Sequence, residues 1–178
     1  MMNPDLQAAV FDLDGTLLDT LDDLADCINE TLTRFGHPSH PVDAYRLMVG
    51  TGARRLVEIA AGRDADPSSV SEGKVDRMLD HFSGLYSARW HCKTKPYDGV
   101  CTMLDTLSEA GIVLAVLSNK ADPFTRDMVR WFFPHVPFAS VIGQRPGVPV
   151  KPDPASALEP AHRIGCYRGR TAYIGDSG

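Results

Sequence analysis

The sequence predicts an α/β protein with a doubly wound parallel sheet and a helical subdomain inserted after its first strand. Three observations lead to this prediction. A short apolar run near the N-terminus stops at two aspartates, and a long stretch of helical periodicity follows it. Strand and helix patterns then alternate toward the C-terminus, which is typical of a parallel sheet whose strands are connected through helices.

Length and composition are those of a globular protein with room for an insertion. The chain has 178 residues, of which 43% are hydrophobic, and this is enough for a sizeable core. Its net charge of −5 offers no basic surface for nucleic acid or for an anionic membrane, so we expect a small molecule as the partner. The N-terminus does not resemble a signal peptide, and no apolar run reaches membrane-spanning length. We therefore expect a cytoplasmic protein, with its dispersed cysteines as free thiols.

The first strand is predicted over residues 8–11, a continuous apolar run of the kind that is buried on both faces of a sheet. Asp12 and Asp14 follow it, and Gly15 then allows the backbone to turn. Ligands bind at this carboxyl edge in open α/β sheets. Two ionised carboxylates so close together need a cation between them, a shared proton or full solvation, and a divalent metal ion is the simplest solution. The alternative is that the two aspartates only form a turn or a helix cap.

No strand pattern interrupts residues 17–92, and residues 17–93 form the predicted helical subdomain. Apolar spacing predicts a helix that begins after Thr20, with Asp23 in its cap, and ends before Gly36. Further helices are predicted from near Pro41 to Gly50, over 53–60 and over 75–86. Residues 1–16 and 94–178 then form the predicted core.

Helices and strands alternate from residue 96 onward. The predicted helices cover 100–107, 124–132 and 154–164, and the strands that follow or precede them cover 112–117, 138–142 and 171–174. Right-handed crossovers would place the C-terminal ends of all strands on one edge of the sheet. That edge collects five polar residues, which are Asp12, Asp14, Ser118, Asn119 and Asp176.

Four short segments resemble, in order, the four motifs of the haloacid dehalogenase-like hydrolase superfamily. They are Asp12-Leu13-Asp14-Gly15-Thr16, Leu117-Ser118-Asn119-Lys120, Lys151-Pro152 and Ile174-Gly175-Asp176-Ser177. Three of the segments directly follow predicted strands, and together they span nearly the whole chain. The resemblance implies a Rossmann-like core and a phosphatase. Phosphoryl transfer needs a nucleophile, a proton donor, a metal ion and fixed positive charge, and these segments supply residues of each kind.

The resemblance also implies roles for the aspartates. Asp12 would be the nucleophile that forms an aspartyl-phosphate, and Asp14 would protonate the leaving oxygen and later activate water. The cofactor would be Mg²⁺, held by the side chains of Asp12 and Asp176 and by the backbone carbonyl of Asp14. Such an oxygen-only set suits a hard cation.

Phosphate binding is implied for the second and third motifs. Ser118 and Asn119 would lie at the phosphate, with the Ser118 hydroxyl as donor, and Lys151 would neutralise its charge. The alternatives are a helix-capping pair at Ser118-Asn119 and a solvated loop charge at Lys151. Lys120 is interpreted as a surface charge and left outside the catalytic set.

The insertion lies where this superfamily carries a helical cap, which closes over the site and selects the leaving group. Residues 49–56 and 96–100 resemble segments of phosphoglycolate phosphatases, so 2-phosphoglycolate is the leading substrate. Within the first of these segments, Gly52 would offer backbone amides to an anion, and Arg54 would pair with a substrate carboxylate. The alternative is that Gly50 and Gly52 only join two helices and that the arginines are solvated.

The sequence departs from the family pattern at its end. The fourth motif normally continues to a second acid and is followed by a further strand and helix, whereas this sequence stops at Gly178. We expect a fragment that lacks them, and completion of the fold by another route is the alternative. Two other functions stay open, a phosphohexose mutase of the same superfamily and a truncated phosphate-binding domain without catalysis. A dehalogenase fits less well, because Asp14 and Asp176 suit phosphoryl chemistry better than halide displacement.

Overall fold

The computed structural model describes residues 6–153, 159, 164–165 and 168–176. In chain order, its elements are β1 (Ala8–Phe11), β2 (Leu18–Asp19), α1 (Leu21–Arg34), a 3₁₀ helix (Val42–Leu47), α2 (Ala53–Ala60), α3 (Glu72–Arg89), β3 (Lys95–Pro96), α4 (Val100–Glu109), β4 (Val113–Ala121), α5 (Asp122–Phe132), β5 (Ser140–Gln144), a second 3₁₀ helix (Arg168–Arg170) and β6 (Thr171–Ile174). No described helix has the length and apolarity needed to cross a membrane.

The chain divides into two compact units. We call Met1–Asp19 with Lys95–Gly178 the core unit, and Thr20–Thr94 the helical unit. The boundaries predicted from the sequence, after residues 16 and 93, lie before the boundaries of these units, which fall after Asp19 and Thr94. The difference at the first boundary arises because β2 belongs to the core unit, where it pairs with β3.

The core unit contains a parallel sheet, as the alternating pattern predicts. Among the described residues, four strands form this sheet in the order β5-β4-β1-β6. All residues of β1 are buried, because this strand lies between β4 and β6 and is covered on both faces. The central position of β1 delivers Asp12 to the middle of the carboxyl edge.

Three features of the sheets differ from the prediction. The expectation that no strand interrupts residues 17–92 was wrong, because β2 pairs with β3 in an antiparallel ladder too short to produce an alternating pattern. Strand β4 continues to Ala121 instead of ending at Leu117, because its last residues pair with β5 past an irregularity in the register. Strand β5 begins at Ser140, two residues later than predicted. The helix predicted over 154–164 lies largely outside the described residues.

The helices of the helical unit follow the predicted apolar spacing. Helix α1 begins after Thr20 and ends just before Phe35, and α2 and α3 cover the two later segments of helical periodicity. The segment between Pro41 and Gly50 forms a short 3₁₀ helix instead of an α-helix, with Pro41 in extended conformation before it. Tyr45 is the one buried residue of this 3₁₀ helix, so the segment lacks the apolar face that would pack a longer α-helix against its neighbours.

Asp23 joins the two ends of the helical unit, instead of serving the cap predicted for it. Its buried carboxylate accepts hydrogen bonds from the backbone N–H of Lys93 (3.0 Å) and of Thr94 (2.9 Å), and from the Thr94 hydroxyl (2.8 Å). Replacing Asp23 with alanine would leave two backbone donors without this acceptor. We therefore expect Asp23→Ala to lower the free energy of unfolding by about 3 kcal/mol in urea titrations, whereas Asp22→Ala, on the exposed side of the same turn, should cost less than about 1 kcal/mol. Equal effects of the two substitutions would contradict this role.

Cys27 is fully buried in α1, and burial raises the pKa of its thiol from 9.0 to about 11. The unfolded chain therefore loses this proton first, and the free energy of unfolding should fall by about 2 kcal/mol as the pH rises from 9 to 11. The difference between the wild-type protein and Cys27→Ala isolates this contribution from other groups.

Peptide mass spectrometry after alkylation near pH 8 should show labelled Cys92 and Cys101, which are exposed, and unlabelled Cys27. A pH-independent difference, or fast labelling of Cys27, would contradict the prediction.

Candidate active site

Asp12 is buried at the carboxyl edge of the sheet, directly after β1. Its backbone N–H donates to the carbonyl of Ile174 (2.8 Å), which ties it to the end of β6. One carboxylate oxygen, Oδ1, accepts the N–H of Leu13 at 2.7 Å. The residue is 4% exposed, so its carboxylate is held in a position set by the backbone of two strands.

A tight turn after Asp12 returns the chain toward the sheet. The carbonyl of Leu13 accepts the N–H groups of Thr16 (3.3 Å), Leu17 (3.0 Å) and Leu18 (2.9 Å), and the three leucines are fully buried. Gly15 has a φ of 76°, a conformation that a residue with a side chain rarely adopts. The buried leucines anchor the turn, and the polar residues between them stay at the sheet edge.

Lys151 reaches the same point from the loop that follows β5. Its Nζ lies 2.5 Å from Asp12 Oδ2, with both side chains largely buried. The ammonium also donates to the carbonyl of Leu117 (3.2 Å) and to the hydroxyl of Tyr173 (2.9 Å). An ammonium group has three N–H donors, so this set of contacts can fix its position. Burial raises the pKa of Asp12 above its ordinary value, while the charge of Lys151 and the N–H of Leu13 oppose this rise.

Asn119 fixes the backbone of Lys151 through both ends of its side-chain amide. Its Nδ2 donates to the Lys151 carbonyl (3.0 Å), and its Oδ1 accepts the Lys151 N–H (2.8 Å). The sequence analysis did not predict this positioning role. Ser118 is buried beside it, and its hydroxyl oxygen accepts the N–H of Lys120 at 3.2 Å. Direct contacts of Ser118 and Asn119 with phosphate stay predictions.

Lys120 is the residue that the sequence analysis missed. Its Nζ lies 2.9 Å and 3.1 Å from the two carboxylate oxygens of Asp14, and both side chains are largely buried. The interpretation of Lys120 as a surface charge was wrong. One signal could have corrected it, because side chains two residues apart on a strand point to the same face, and Lys120 follows Ser118 by two.

Asp176 lies against the turn that follows Asp12. The Thr16 hydroxyl contacts Asp176 Oδ1 (3.4 Å) and accepts the Asp176 N–H (3.2 Å). A Cβ added at Gly15 would come within 2.1 Å of Asp176 Oδ2, so only glycine leaves room for this carboxylate. A Cβ added at Gly175 would lie 3.4 Å from the Cβ of Asp12, which places the last described segment beside the first motif.

The oxygens at this edge fit a hard divalent cation. Burial raises the pKa of Tyr173, and the negative charges of Asp12 and Asp176 both add to this rise although Lys151 opposes it, so the two aspartates act on the same neighbour. Carboxylates of this kind with a backbone carbonyl form the donor set that Mg²⁺ prefers. Within the described ranges, no group of three or more His, Cys, Asp or Glu side chains is placed to hold a metal ion. The predicted ligand set, the side chains of Asp12 and Asp176 with the carbonyl of Asp14, stays a prediction.

The two residues predicted for substrate selection lie in the helical unit. Gly52 precedes α2 with a φ of 94°, and Arg54 lies in the first turn of that helix. The Arg54 guanidinium is half exposed and pairs with Asp76, with Glu72 at 3.4 Å and with Glu58 at 4.0 Å. A substrate carboxylate would therefore compete with three acids for Arg54, and its role in selection stays a prediction.

Known proteins are similar to this chain over almost its whole length. The phosphoglycolate phosphatase of Psychrobacter arcticus is 36% identical, covering 97% of this chain and 76% of that protein. The phosphoglycolate phosphatase of Pseudomonas syringae pv. tomato is 33% identical, covering 94% and 61% respectively. A crystal structure named as a predicted phosphoglycolate phosphatase, from Haemophilus somnus, matches with a TM-score of 0.88 and 26% identity, covering 99% of this chain and 79% of that one. The chain thus spans between 61% and 79% of the lengths of these proteins.

A family model agrees with these relatives. The model described as haloacid dehalogenase-like hydrolase matches residues 9–178. This match includes all four segments on which the resemblance was based, and it confirms that resemblance and the prediction of a hydrolase. The chain belongs to the haloacid dehalogenase-like hydrolases.

Proposed function

We propose that this protein is a Mg²⁺-dependent phosphatase that hydrolyses a small phosphorylated metabolite through an aspartyl-phosphate on Asp12. In the first step, an Asp12 carboxylate oxygen attacks phosphorus, and the bond from phosphorus to the leaving oxygen breaks while Asp14 donates a proton to that oxygen. In the second step, water attacks phosphorus, Asp14 accepts a proton from the water, and the bond from phosphorus to Asp12 breaks. Inorganic phosphate and the free carboxylate result.

One observation carries this proposal, the buried contact between Lys151 and Asp12. A nucleophilic carboxylate and a dianionic phosphate repel each other, and a fixed ammonium beside the carboxylate offsets that repulsion. The contacts of Asn119 and Tyr173 hold the ammonium in place before substrate arrives, so little reorganisation is needed during the reaction. The Lys151–Asp12 ion pair lies at the carboxyl edge of a parallel sheet, where ligands bind, and a purely structural ion pair would not need this location.

The other polar residues at this edge have complementary roles in the proposal. Ser118 would donate its hydroxyl to a phosphoryl oxygen, and the metal ligands would be Asp12, Asp176 and the carbonyl of Asp14. When bound, Mg²⁺ would supply positive charge to the phosphoryl oxygens. The negative surface charge of the chain fits a small diffusing substrate better than a polyanionic polymer.

The first substrate to test is 2-phosphoglycolate. Its choice is supported by relatives that carry the name phosphoglycolate phosphatase and by the segments around Gly52 and Tyr97 that resemble those enzymes. Arg54 would bind the substrate carboxylate in place of its present acidic partners. Gly52 would contribute backbone amides at the start of α2.

The test is a panel of phosphorylated metabolites, assayed for release of inorganic phosphate with Mg²⁺ and again after removal of divalent ions by EDTA. We expect release from 2-phosphoglycolate that EDTA abolishes and added Mg²⁺ restores. Interconversion of sugar phosphates without release of phosphate would instead support the phosphohexose mutase. Binding of phosphate without turnover of any compound would support the non-catalytic domain.

A further inference from the structure

Lys120 and Asp14 form an ion pair that is largely buried. The ammonium of Lys120 contacts both oxygens of one carboxylate, at 2.9 Å and 3.1 Å, and the two side chains are 8% and 12% exposed. Contact through both oxygens restricts rotation of the carboxylate, and exclusion of water strengthens the attraction between the charges. The two residues come from different motifs and are far apart in the chain, so the pair depends on the fold of the core unit.

The backbone of Lys120 is itself held by its neighbours. Its N–H donates to the hydroxyl of Ser118 (3.2 Å), and its carbonyl accepts the hydroxyl of Thr125 (3.1 Å). Gly143 packs so closely on the other side that an added Cβ would lie 2.6 Å from the Lys120 carbonyl oxygen. The backbone of Lys120 is therefore fixed within β4, and its ammonium restricts the position of the Asp14 carboxylate.

We propose that Lys120 is a positioning residue that orients the Asp14 carboxylate for proton transfer, an inference that rests on the proposed function. When one Asp14 oxygen carries the proton, the ammonium of Lys120 donates to the other oxygen, and after proton transfer it donates to both, as in the structure. Lys120 itself does not contact the phosphoryl group in this proposal. Without the ammonium, the side chain of Asp14 would adopt several orientations, and few of them would bring it to the leaving oxygen. Misplacement of a catalytic group by a small distance is enough to slow a reaction strongly.

Two consequences distinguish this role from a purely structural one. When proton donation is impaired, hydrolysis slows more for a leaving group that needs the proton than for one that leaves as a stable anion. Phenyl phosphate and p-nitrophenyl phosphate are nearly equal in shape, but phenol needs the proton more than p-nitrophenol does. Moreover, a residue that acts only through Asp14 should have almost no effect once Asp14 can no longer transfer a proton.

The experiment measures kcat/KM for phenyl phosphate and p-nitrophenyl phosphate, with Mg²⁺, in the wild-type protein, Lys120→Met, Asp14→Asn and the double variant. We expect Lys120→Met to lower kcat/KM about 100-fold for phenyl phosphate and less than about 5-fold for p-nitrophenyl phosphate. In the Asp14→Asn background, Lys120→Met should change either value less than about 2-fold. Lys95→Met, at an exposed position of β3, is the matched control and should leave both values unchanged.

Equal losses for the two substrates, no loss, or the same loss in the Asp14→Asn background would overturn the positioning role. These results would leave the proposed function intact, since the wild-type protein would still release phosphate. A wild-type protein that releases phosphate neither from these two compounds nor from any compound of the metabolite panel would overturn both. Circular dichroism and thermal unfolding check that each variant is folded, and Lys120→Gln, which keeps a polar group in the pocket, takes the place of Lys120→Met if the latter does not fold.

Discussion

Replacement of Asp12 with asparagine is expected to lower kcat for phosphate release by about 10⁴-fold or more, because an amide oxygen is a poor nucleophile and the aspartyl-phosphate cannot form. The substitution keeps the shape of the side chain. It should also keep the fold, because the amide oxygen of asparagine can still accept a hydrogen bond from the N–H of Leu13 or from the ammonium of Lys151. The measurement is phosphate release with Mg²⁺ at saturating substrate, together with the melting temperature of each protein.

The matched control is Asp105→Asn, which makes the same chemical change at an exposed position of α4 in the core unit. This variant should retain full activity. Activity of Asp12→Asn within 10-fold of the wild-type value, in a preparation free of wild-type protein, would rule out Asp12 as the nucleophile. A large loss of melting temperature in Asp12→Asn alone would instead point to a structural role for the contact with Lys151.

Replacement of Lys151 with methionine has the second largest expected effect, a loss of about 10³-fold in kcat/KM. Methionine fills a similar volume but leaves the negative charge of Asp12 without the ammonium at 2.5 Å. Repulsion between this carboxylate and the incoming phosphate is then no longer offset. The loss should fall mainly on kcat if the charge stabilises the transition state more than the bound substrate.

Lys95→Met provides the control for Lys151→Met as well, because it removes an exposed lysine from the same unit. Tyr173, which accepts a hydrogen bond from the Lys151 ammonium, offers a substitution with a smaller expected loss of activity. Tyr173→Phe removes one acceptor of the ammonium and should cost about 10-fold, less than loss of the ammonium itself. Equal activity of Lys151→Met and the wild-type protein would exclude a role for this charge in the reaction.

Some parts of the fold follow from local patterns in the sequence. Strand β1 was predicted over residues 8–11 and is found there, because a short continuous apolar run between the polar residues Gln7 and Asp12 is typical of a buried strand. Strand β6 likewise matches its predicted residues. Helix α5 begins at Asp122 with Pro123 behind it, a pair that favours the first turn of a helix. In each case, neighbours in the chain determine the structure.

Other parts depend on contacts between distant residues, and no local pattern specifies them. Strands β2 and β3 form by pairing with each other, although the entire helical unit lies between them in the sequence. The face on which Lys120 lies follows from strand alternation, but its partner could not be predicted, because Asp14 is 106 residues away in the chain and only the folded sheet brings the two together. The three acids that pair with Arg54 come from two helices, whose packing the sequence pattern does not define.

The central claim is that phosphate passes through Asp12, and direct detection of the intermediate tests it. The protein is mixed with ³²P-labelled substrate and Mg²⁺, quenched in acid within milliseconds and reduced with borohydride, which converts an aspartyl-phosphate to homoserine. We expect acid-stable incorporation of ³²P into the protein before reduction, and homoserine at position 12 by peptide mass spectrometry. Full turnover of the wild-type protein with no labelled intermediate, or with homoserine at another aspartate, would contradict it.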